Sequence, residues 1–473
     1  MRLMVFSHLV RVSYNEMCRS AKVGRHFFWT FTSYFCCMPA ILQKRTDNAP
    51  LILFRIIFGG LLAYQCFYYI FEGWIWRNLI RPEFTFSHIG FEWLQPLPGD
   101  SMYYYFAFMG FCAIGVCFGY FYRISLALFT ILWTGVYLMQ KTTYNNHHYL
   151  IILLCILLWC MPANRFACAD VNRTGKLNLS MPQWCQWLMV FQMAAVYIFA
   201  AIAKCYPGWT DGTFSRIMLD KYAQFHGLDF LREHWVHLFL AWGGILFDLL
   251  IIPMLLWKRT RLAAIGLLVA FHFFNSLTLD IGIFPFLALS GVVFFFEPDY
   301  IRRVFFRDKP QLTPAIAASE MAATNHLTTL LIGAYIAVQL FLPLRHWLIK
   351  GDVLWTEEGH RLSWRMMLRD RKGELTMTVV DKKTAAPIPY DLTRKLTKRQ
   401  LSGLKTHPDM IWQMAQRIKR EMAEKGIEVA VYADVENAIN RGPMKILIDP
   451  SVDLAAADWN YFGHADWIKM YAE

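Results

Sequence analysis

No cysteine follows Cys205 in this 473-residue chain, no two cysteines are spaced C-x-x-C, and no His/Cys ligand pattern occurs. Eleven cysteines therefore give neither a structural zinc site nor a redox dithiol, and the C-terminal third is without any disulfide. A glycine-rich phosphate loop, a serine-nucleophile elbow, internal repeats and low-complexity tracts are also missing. Charged residues make up only 17%, against 56% hydrophobic and 16% aromatic, and mean hydropathy is positive. Such a composition excludes an ordinary soluble domain and predicts a multi-pass α-helical membrane protein.

Nine apolar segments predict about nine transmembrane helices: Leu51 to Phe71, Met102 to Tyr120, Ile124 to Met139, Tyr149 to Met161, Trp187 to Ala203, Val236 to Trp257, Leu262 to Leu279, Ile283 to Phe296 and Leu327 to Leu344. The fourth and eighth are short. Lys and Arg accumulate in cytoplasmic loops, and an N-terminus inside puts 18 of them in the inner segments against 7 in the outer loops. An odd number of spans then places everything after Arg345 outside the cytoplasm, in an inner membrane if the source is bacterial. The net charge of +12 is accordingly an orientation signal, not a nucleic-acid footprint. The basic N-terminal segment has no apolar core followed by a cleavage site, so no removable signal peptide is expected, and the aromatic-rich stretch His26 to Leu42 reads as interfacial.

Three divisions follow: a cytoplasmic basic segment over 1–48, a transmembrane helical domain over 49–348, and an extracytoplasmic C-terminal domain over 349–473. In the last, the alternating stretches Glu374 to Asp381 and Lys445 to Asp449 read as strands, predicting an α+β or β-rich fold. Between them Ile411, Met414, Ala415, Ile418 and Met422 share one face of a helix over Asp409 to Glu424, stopped by Gly426. Glu357, Glu358, Asp449 and Asp453 read as solvated carboxylates rather than an acid–base or metal set.

Three polar clusters interrupt the apolar pattern at one predicted depth near the outer leaflet. Asn145, Asn146, His147 and His148 stand at the entry to the fourth span, Lys204 at the exit of the fifth, and His272 with Asn275 in the outer half of the seventh. Separate segments placing polar groups at one depth can wall a single pocket between helices. Each has a plainer reading: interhelical hydrogen bonding for His272, snorkelling for Lys204, helix capping for the asparagines. No metal is expected, because adjacent His147 and His148 project about 100° apart on a helix and no carboxylate or thiolate joins them at ligand spacing. Desolvation disfavours a buried charge, so an amine walled by apolar side chains serves as a base toward a lipid-soluble acid such as a quinol.

The segments YNNHHYL (Tyr144 to Leu150), VYIFAAIAKCYPGWTDG (Val196 to Gly212), FHFFNSLTLDIGIFP (Phe271 to Pro285), FLPLRHWL (Phe341 to Leu348) and ADVENAINRGPMKILIDPSVDLAAADW (Ala433 to Trp459) resemble the vitamin K-dependent gamma-glutamyl carboxylase family and its bacterial relatives. LQPLPGD (Leu94 to Asp100) and SWRMM (Ser363 to Met367) fall in the same order, so the resemblance runs from roughly Ala49 to Ile468. It implies an enzyme that deprotonates vitamin K hydroquinone, of menaquinol or phylloquinol type, and lets it react with O2. The strong base so formed removes a γ-proton from a peptide glutamate, the carbanion takes up CO2, and the quinone leaves as its 2,3-epoxide. It further implies Lys204 as the base toward the quinol, His147 and Asn146 as groups that position or polarise the reacting atoms, and His272 with Asn275 at the quinone end. Partners would be membrane lipid, the quinone and a glutamate-containing protein or peptide, with no nucleic acid.

Two departures concern the acceptor. Where animal members carry a tyrosine thought to lie near the glutamate site, this chain reads WTEEGHRLSW, with His360 there and Trp364 closing the motif. The disulfide that joins the two parts in those members cannot form here. Quinol oxidation is untouched by these changes, whereas peptide binding and glutamate carboxylation are not. Two further readings stand beside the carboxylase: a quinol epoxidase or oxidase-like enzyme that does not carboxylate glutamate, and a non-catalytic scaffold or lipid-binding protein.

Overall fold

The computed structural model describes residues 43–278, 282–320 and 326–471. Most of the basic N-terminal segment, including the stretch read as interfacial, lies outside the described residues. A short strand β1 (Arg45–Asp47) leads into α1 (Ala49–Phe71), followed by α2 (Ser101–Phe118), α3 (Tyr122–Met139) and α4 (Asn146–Cys160). Strand β2 (Ser180–Pro182) pairs antiparallel with β1 and opens α5 (Gln183–Lys204). Then come α6 (His234–Leu256), α7 (Arg261–Thr278), α8 (Phe284–Ser290) and α9 (His326–Phe341).

The nine apolar segments are helical where described, but by length and composition seven helices among the described residues can cross a membrane, or up to eight if one bent pair counts as a span. The bent pair, Phe284–Phe295 with Pro298–Phe305, turns by 113°. The segment that falls short is α4, whose 15 residues rise only about 22 Å against roughly 30 Å of hydrocarbon. Its apolar residues face every direction, and they are buried on nearly every side by other helices. A helix sheathed in protein need not match the bilayer, which is why its apolar run can be short. α1 and α2 meet so closely that a Cβ added to Gly59 would lie 2.5 Å from the Cys117 backbone nitrogen, so only glycine fits that crossing.

The C-terminal region contains a four-stranded antiparallel sheet in the order β4-β3-β5-β6, built from β3 (Arg371–Asp381), β4 (Pro387–Ile388), β5 (Val429–Ile439) and β6 (Lys445–Ile448). Helix α10 (Pro408–Ala423) covers one face with the stripe expected from sequence: Ile411, Met414, Ala415, Ile418 and Met422 are all buried against Val431, Ala433 and Val435 of β5. The long strand β5, central to the sheet, extends the strand content beyond the two stretches expected.

Polar contacts sort the connecting segments into two ends. At one end Lys309 Nζ donates to Asp47 Oδ1 at 2.7 Å and to the Leu179 carbonyl at 3.0 Å, and Arg55 Nη1 donates to the Ala163 carbonyl at 2.9 Å. At the other, Lys141 Nζ meets Asp409 Oδ2 at 2.6 Å, Gln400 Nε2 donates to the Phe84 carbonyl at 2.7 Å, and Arg441 Nη1 meets Asp220 at 2.9 Å. These are the same two groups of segments that loop charge separates, and the strand-containing region sits on the charge-poor group. Here the junction is held by one buried charge-assisted hydrogen bond, Lys141 to Asp409, with a buried neutral one and an exposed ion pair beside it, and without a disulfide.

Candidate functional site

The ends of α4, α5 and α7, the middle of α6 and the loop 360–367 enclose a cavity of about 690 Å³ with mostly apolar walls. That volume is in the range of pockets that hold a drug-sized ligand. Of the seven residues singled out from sequence, six line it: Asn146, His147, Lys204, His272, Asn275 and His360. Trp364 does not. It is buried in the helical core against the ring of Tyr149, with centroids 5.1 Å apart.

Lys204 is the last residue of α5, and the chain reverses immediately through the single turn Pro207–Thr210. This reversal puts the Trp209 ring 5.4 Å from Nζ, where its face attracts the cation, while Trp209 Nε1 donates to the Ala241 carbonyl at 2.9 Å. The ammonium's polar partner is Asp248, bonded Nζ to Oδ2 inside the bundle. Asp248 was not among the residues expected from sequence, yet its signal was present: a single carboxylate amid GGILFDLLII, where a charge is costly unless paired. Its partner could not be read from the chain, because 44 residues separate the two.

His272 Nε2 lies 3.0 Å from the Tyr197 hydroxyl, and its Nδ1, though buried, has no hydrogen-bond partner among the described residues. The adjacent histidines of α4 diverge as their helical spacing requires. His147 faces the cavity, while His148 Nε2 turns to the Tyr69 hydroxyl at 3.2 Å on the far side. Asn146 is fully engaged: Nδ2 donates to the Arg365 carbonyl at 3.1 Å, and Oδ1 accepts from the Tyr144 hydroxyl at 3.1 Å. It therefore ties the loop 360–367 to the bundle. Among the described residues no group of three or more His, Cys, Asp or Glu is placed to hold a metal ion.

His360 enters the cavity from the strand-containing region, with Nδ1 3.9 Å from Glu357 Oε2. Burial pulls its imidazole well below the ordinary range, against the opposing pull of Glu357, so the ring is neutral near pH 7. Glu357 and Glu358 are not solvated, contrary to expectation. Glu357 pairs with Arg369 and with Arg371, and Glu358 accepts from the Ala465 amide at 2.9 Å and meets His464 Nδ1 at 2.7 Å. Burial pushes the Glu357 carboxyl up, but the guanidinium groups of Arg369 and Arg371 hold it well below the usual carboxylate range. Sequence composition cannot distinguish such a carboxylate from a solvated one, since its partners lie 12 and 14 residues away across a turn.

A bundle of helices able to span a membrane, with a mostly apolar cavity that holds buried histidines and a lysine–aspartate pair beside a strand-containing region, describes an integral membrane protein. The HTTM domain matches residues 43–300, and the lumenal domain of vitamin K-dependent gamma-carboxylase matches residues 324–473. The chain belongs to the vitamin K-dependent gamma-carboxylase family, and is a gamma-carboxylase-like membrane protein. No solved structure matches it.

Proposed function

We propose that this protein couples oxygenation of vitamin K hydroquinone to carboxylation of glutamate in a protein or peptide, with O2 and CO2 as co-substrates. The observation that carries this reading is the convergence of the Lys204–Asp248 pair, His147, His272 and Asn275 on one apolar cavity in a chain of this family. The residues fit a reduced naphthoquinone: the walls are apolar, the volume is sufficient, and His272 Nδ1 is a buried polar atom in need of a partner. When bound, the quinol supplies reactivity toward oxygen and, from that, a base strong enough for the acceptor's γ-proton.

Lys204 and Asp248 act in this reading as one acid–base unit. Whether the shared proton rests on Nζ or on the carboxylate, the unit can accept one more. That proton comes from the quinol hydroxyl and leaves the ammonium of Lys204 facing the new anion. Exclusion of water by Trp209, Phe271 and Phe284 keeps the attraction strong and protects a base that water would quench. His272 holds the quinone end through Nδ1, with Tyr197 fixing its ring, and His147 polarises the reacting groups. We further assign the N-terminus to the cytoplasm and the C-terminal domain, from about residue 349, to the other side, of an inner membrane if the source is bacterial; the asymmetry of 18 inner to 7 outer basic residues supports this.

The test is purified protein in detergent with reduced vitamin K, following 2,3-epoxide and uptake of labelled CO2 into a glutamate peptide, for wild type and Lys204→Ala. Epoxide and carboxylation, both lost in the variant, are the expected result. Epoxide without CO2 uptake favours a quinol epoxidase, a reading for which His360 in the cavity wall is the specific observation. Absence of epoxide from folded protein overturns the enzyme reading in favour of a lipid-binding scaffold.

A further inference from the structure

The loop that closes the cavity is backbone-strained. Leu362, Trp364 and Met367 have φ of 61°, 55° and 47°, in the left-handed region that non-glycine residues avoid. Such residues persist only where their surroundings fix them. They do so here. The Leu362 amide donates to the Tyr144 hydroxyl at 3.0 Å, Asn146 holds the Arg365 carbonyl, Tyr206 donates to the Leu368 carbonyl, and Ser363 Oγ donates to the Gly359 carbonyl at 2.7 Å. Of the loop residues on the cavity wall, His360, Arg365, Met366 and Met367, the cation is Arg365.

Charge around the loop does not balance. Lys141 and Arg361 share Asp409, and Arg369 and Arg371 share Glu357, so these four cations have two carboxylates between them. Arg365 is a fifth cation, only 8% exposed, and among the described residues no carboxylate pairs with it. Its Nη1 lies 3.4 Å from His346 Nε2, and its Nε has no partner. His346 Nδ1 is 2.9 Å from the Pro343 carbonyl, so Nδ1 carries the proton and Nε2 is a neutral acceptor; Asp352 and Glu357 act on the guanidinium only from beyond ion-pair distance. Burial, with the repulsion of Arg369, pulls the guanidinium down to about 10, still protonated at neutral pH. A buried cation without a counter-ion is costly unless an anion arrives to meet it.

The geometry points to Arg365 as the anion-binding group of the cavity, taking the side-chain carboxylate of the acceptor glutamate. This rests on the reading of the cavity given under Proposed function. A guanidinium presents a planar fork that matches a carboxylate through two parallel hydrogen bonds, and its free Nε edge is one arm of that fork. The strand-containing region supplies the loop, so Arg365 approaches from the side where a peptide arrives, whereas Lys204, Asp248 and His272 come from helices open to a lipid-soluble molecule. A lipid phosphate suits the site less well, because the guanidinium is enclosed beneath a pinned loop rather than presented at a headgroup surface.

The test reads binding without quinol: the affinity of the full chain in detergent for a blocked pentapeptide with one glutamate, and for its glutamine counterpart. Wild type should prefer the glutamate peptide by about tenfold or more, Arg365→Gln should abolish the preference, and Arg365→Lys should keep part of it. The lysine variant also separates lost recognition from lost folding. Equal affinity of wild type for the two peptides, or a preference retained in Arg365→Gln, overturns the inference. So does an Arg365-dependent response to phosphatidylglycerol with none to peptide. Epoxide formation on the same samples tests the quinol reading separately: its absence in wild type strikes that reading, while the peptide comparison still decides this one.

Discussion

Two buried lysine–aspartate pairs stand at opposite ends of the helical region and differ in what surrounds them. Lys309 and Asp47 sit among backbone groups: the amine also reaches the Leu179 carbonyl, and Asp47 Oδ1 also accepts from the Ala49 amide at 2.8 Å. Lys204 and Asp248 have each other, an aromatic face and a cavity of about 690 Å³. A pair enclosed by backbone partners fastens one segment to another. A pair with open space beside it can exchange a proton with whatever enters. Burial and residue type are the same in both cases, so neither tells the two pairs apart; the neighbouring volume does.

The comparison is tested most severely by turnover. Lys204→Ala and Asp248→Asn should each lower epoxide formation per folded molecule by about a hundredfold or more, while Lys309→Ala should leave it nearly unchanged. Equal losses at both ends would erase the distinction. Next in size is stability. Lys309→Ala should cost about 3–5 kcal/mol by leaving Asp47 buried and unpaired, and the double change Lys309→Met with Asp47→Leu should recover most of it. The corresponding pair of changes at Lys204 and Asp248 should recover melting temperature in the same way but not activity.

A third pair, Lys141 with Asp409 at the junction, gives a pH test. Burial pushes the Asp409 carboxyl up, but Arg361 and Lys141 outweigh it and hold the group well below its usual value. Its folded-state pKa is thus depressed below the unfolded one. The stability it contributes is present above about pH 4 and is lost as pH falls toward the folded value. Melting temperature should therefore fall in acid more steeply for wild type than for Asp409→Asn. The smallest effect is expected at Trp364→Phe. Its ring is core packing against Tyr149 and its Nε1 has no partner among the described residues, so about 1.5 kcal/mol or less of stability should be lost, with peptide affinity unchanged. A selective loss of peptide affinity there would move Trp364 from core to site.

Much of the site was legible because the bilayer makes polar residues conspicuous. Lys204, His147, His272 and Asn275 stood out against apolar runs, and all four meet on the cavity. Asp248 was equally conspicuous by composition. Arg365 was not, since in a charged, strand-containing region an arginine without a partner reads like any other. The structure assigns Trp364 and Asn146 by contact alone: one is packed into the core, the other hydrogen-bonded to the loop it holds.

Composition and loop charge by themselves determined that the chain is helical and membrane-embedded, with two unlike ends and an α+β region at one of them. These properties follow from transfer of side chains out of water, which each residue contributes locally. Tertiary structure alone decided which helices are sheathed in protein, which charges are partnered, and where space remains. Pairing and cavity shape depend on atoms brought together from distant segments, such as the 44 residues between Lys204 and Asp248 or the 219 between Asn146 and Arg365, and no local pattern encodes those distances.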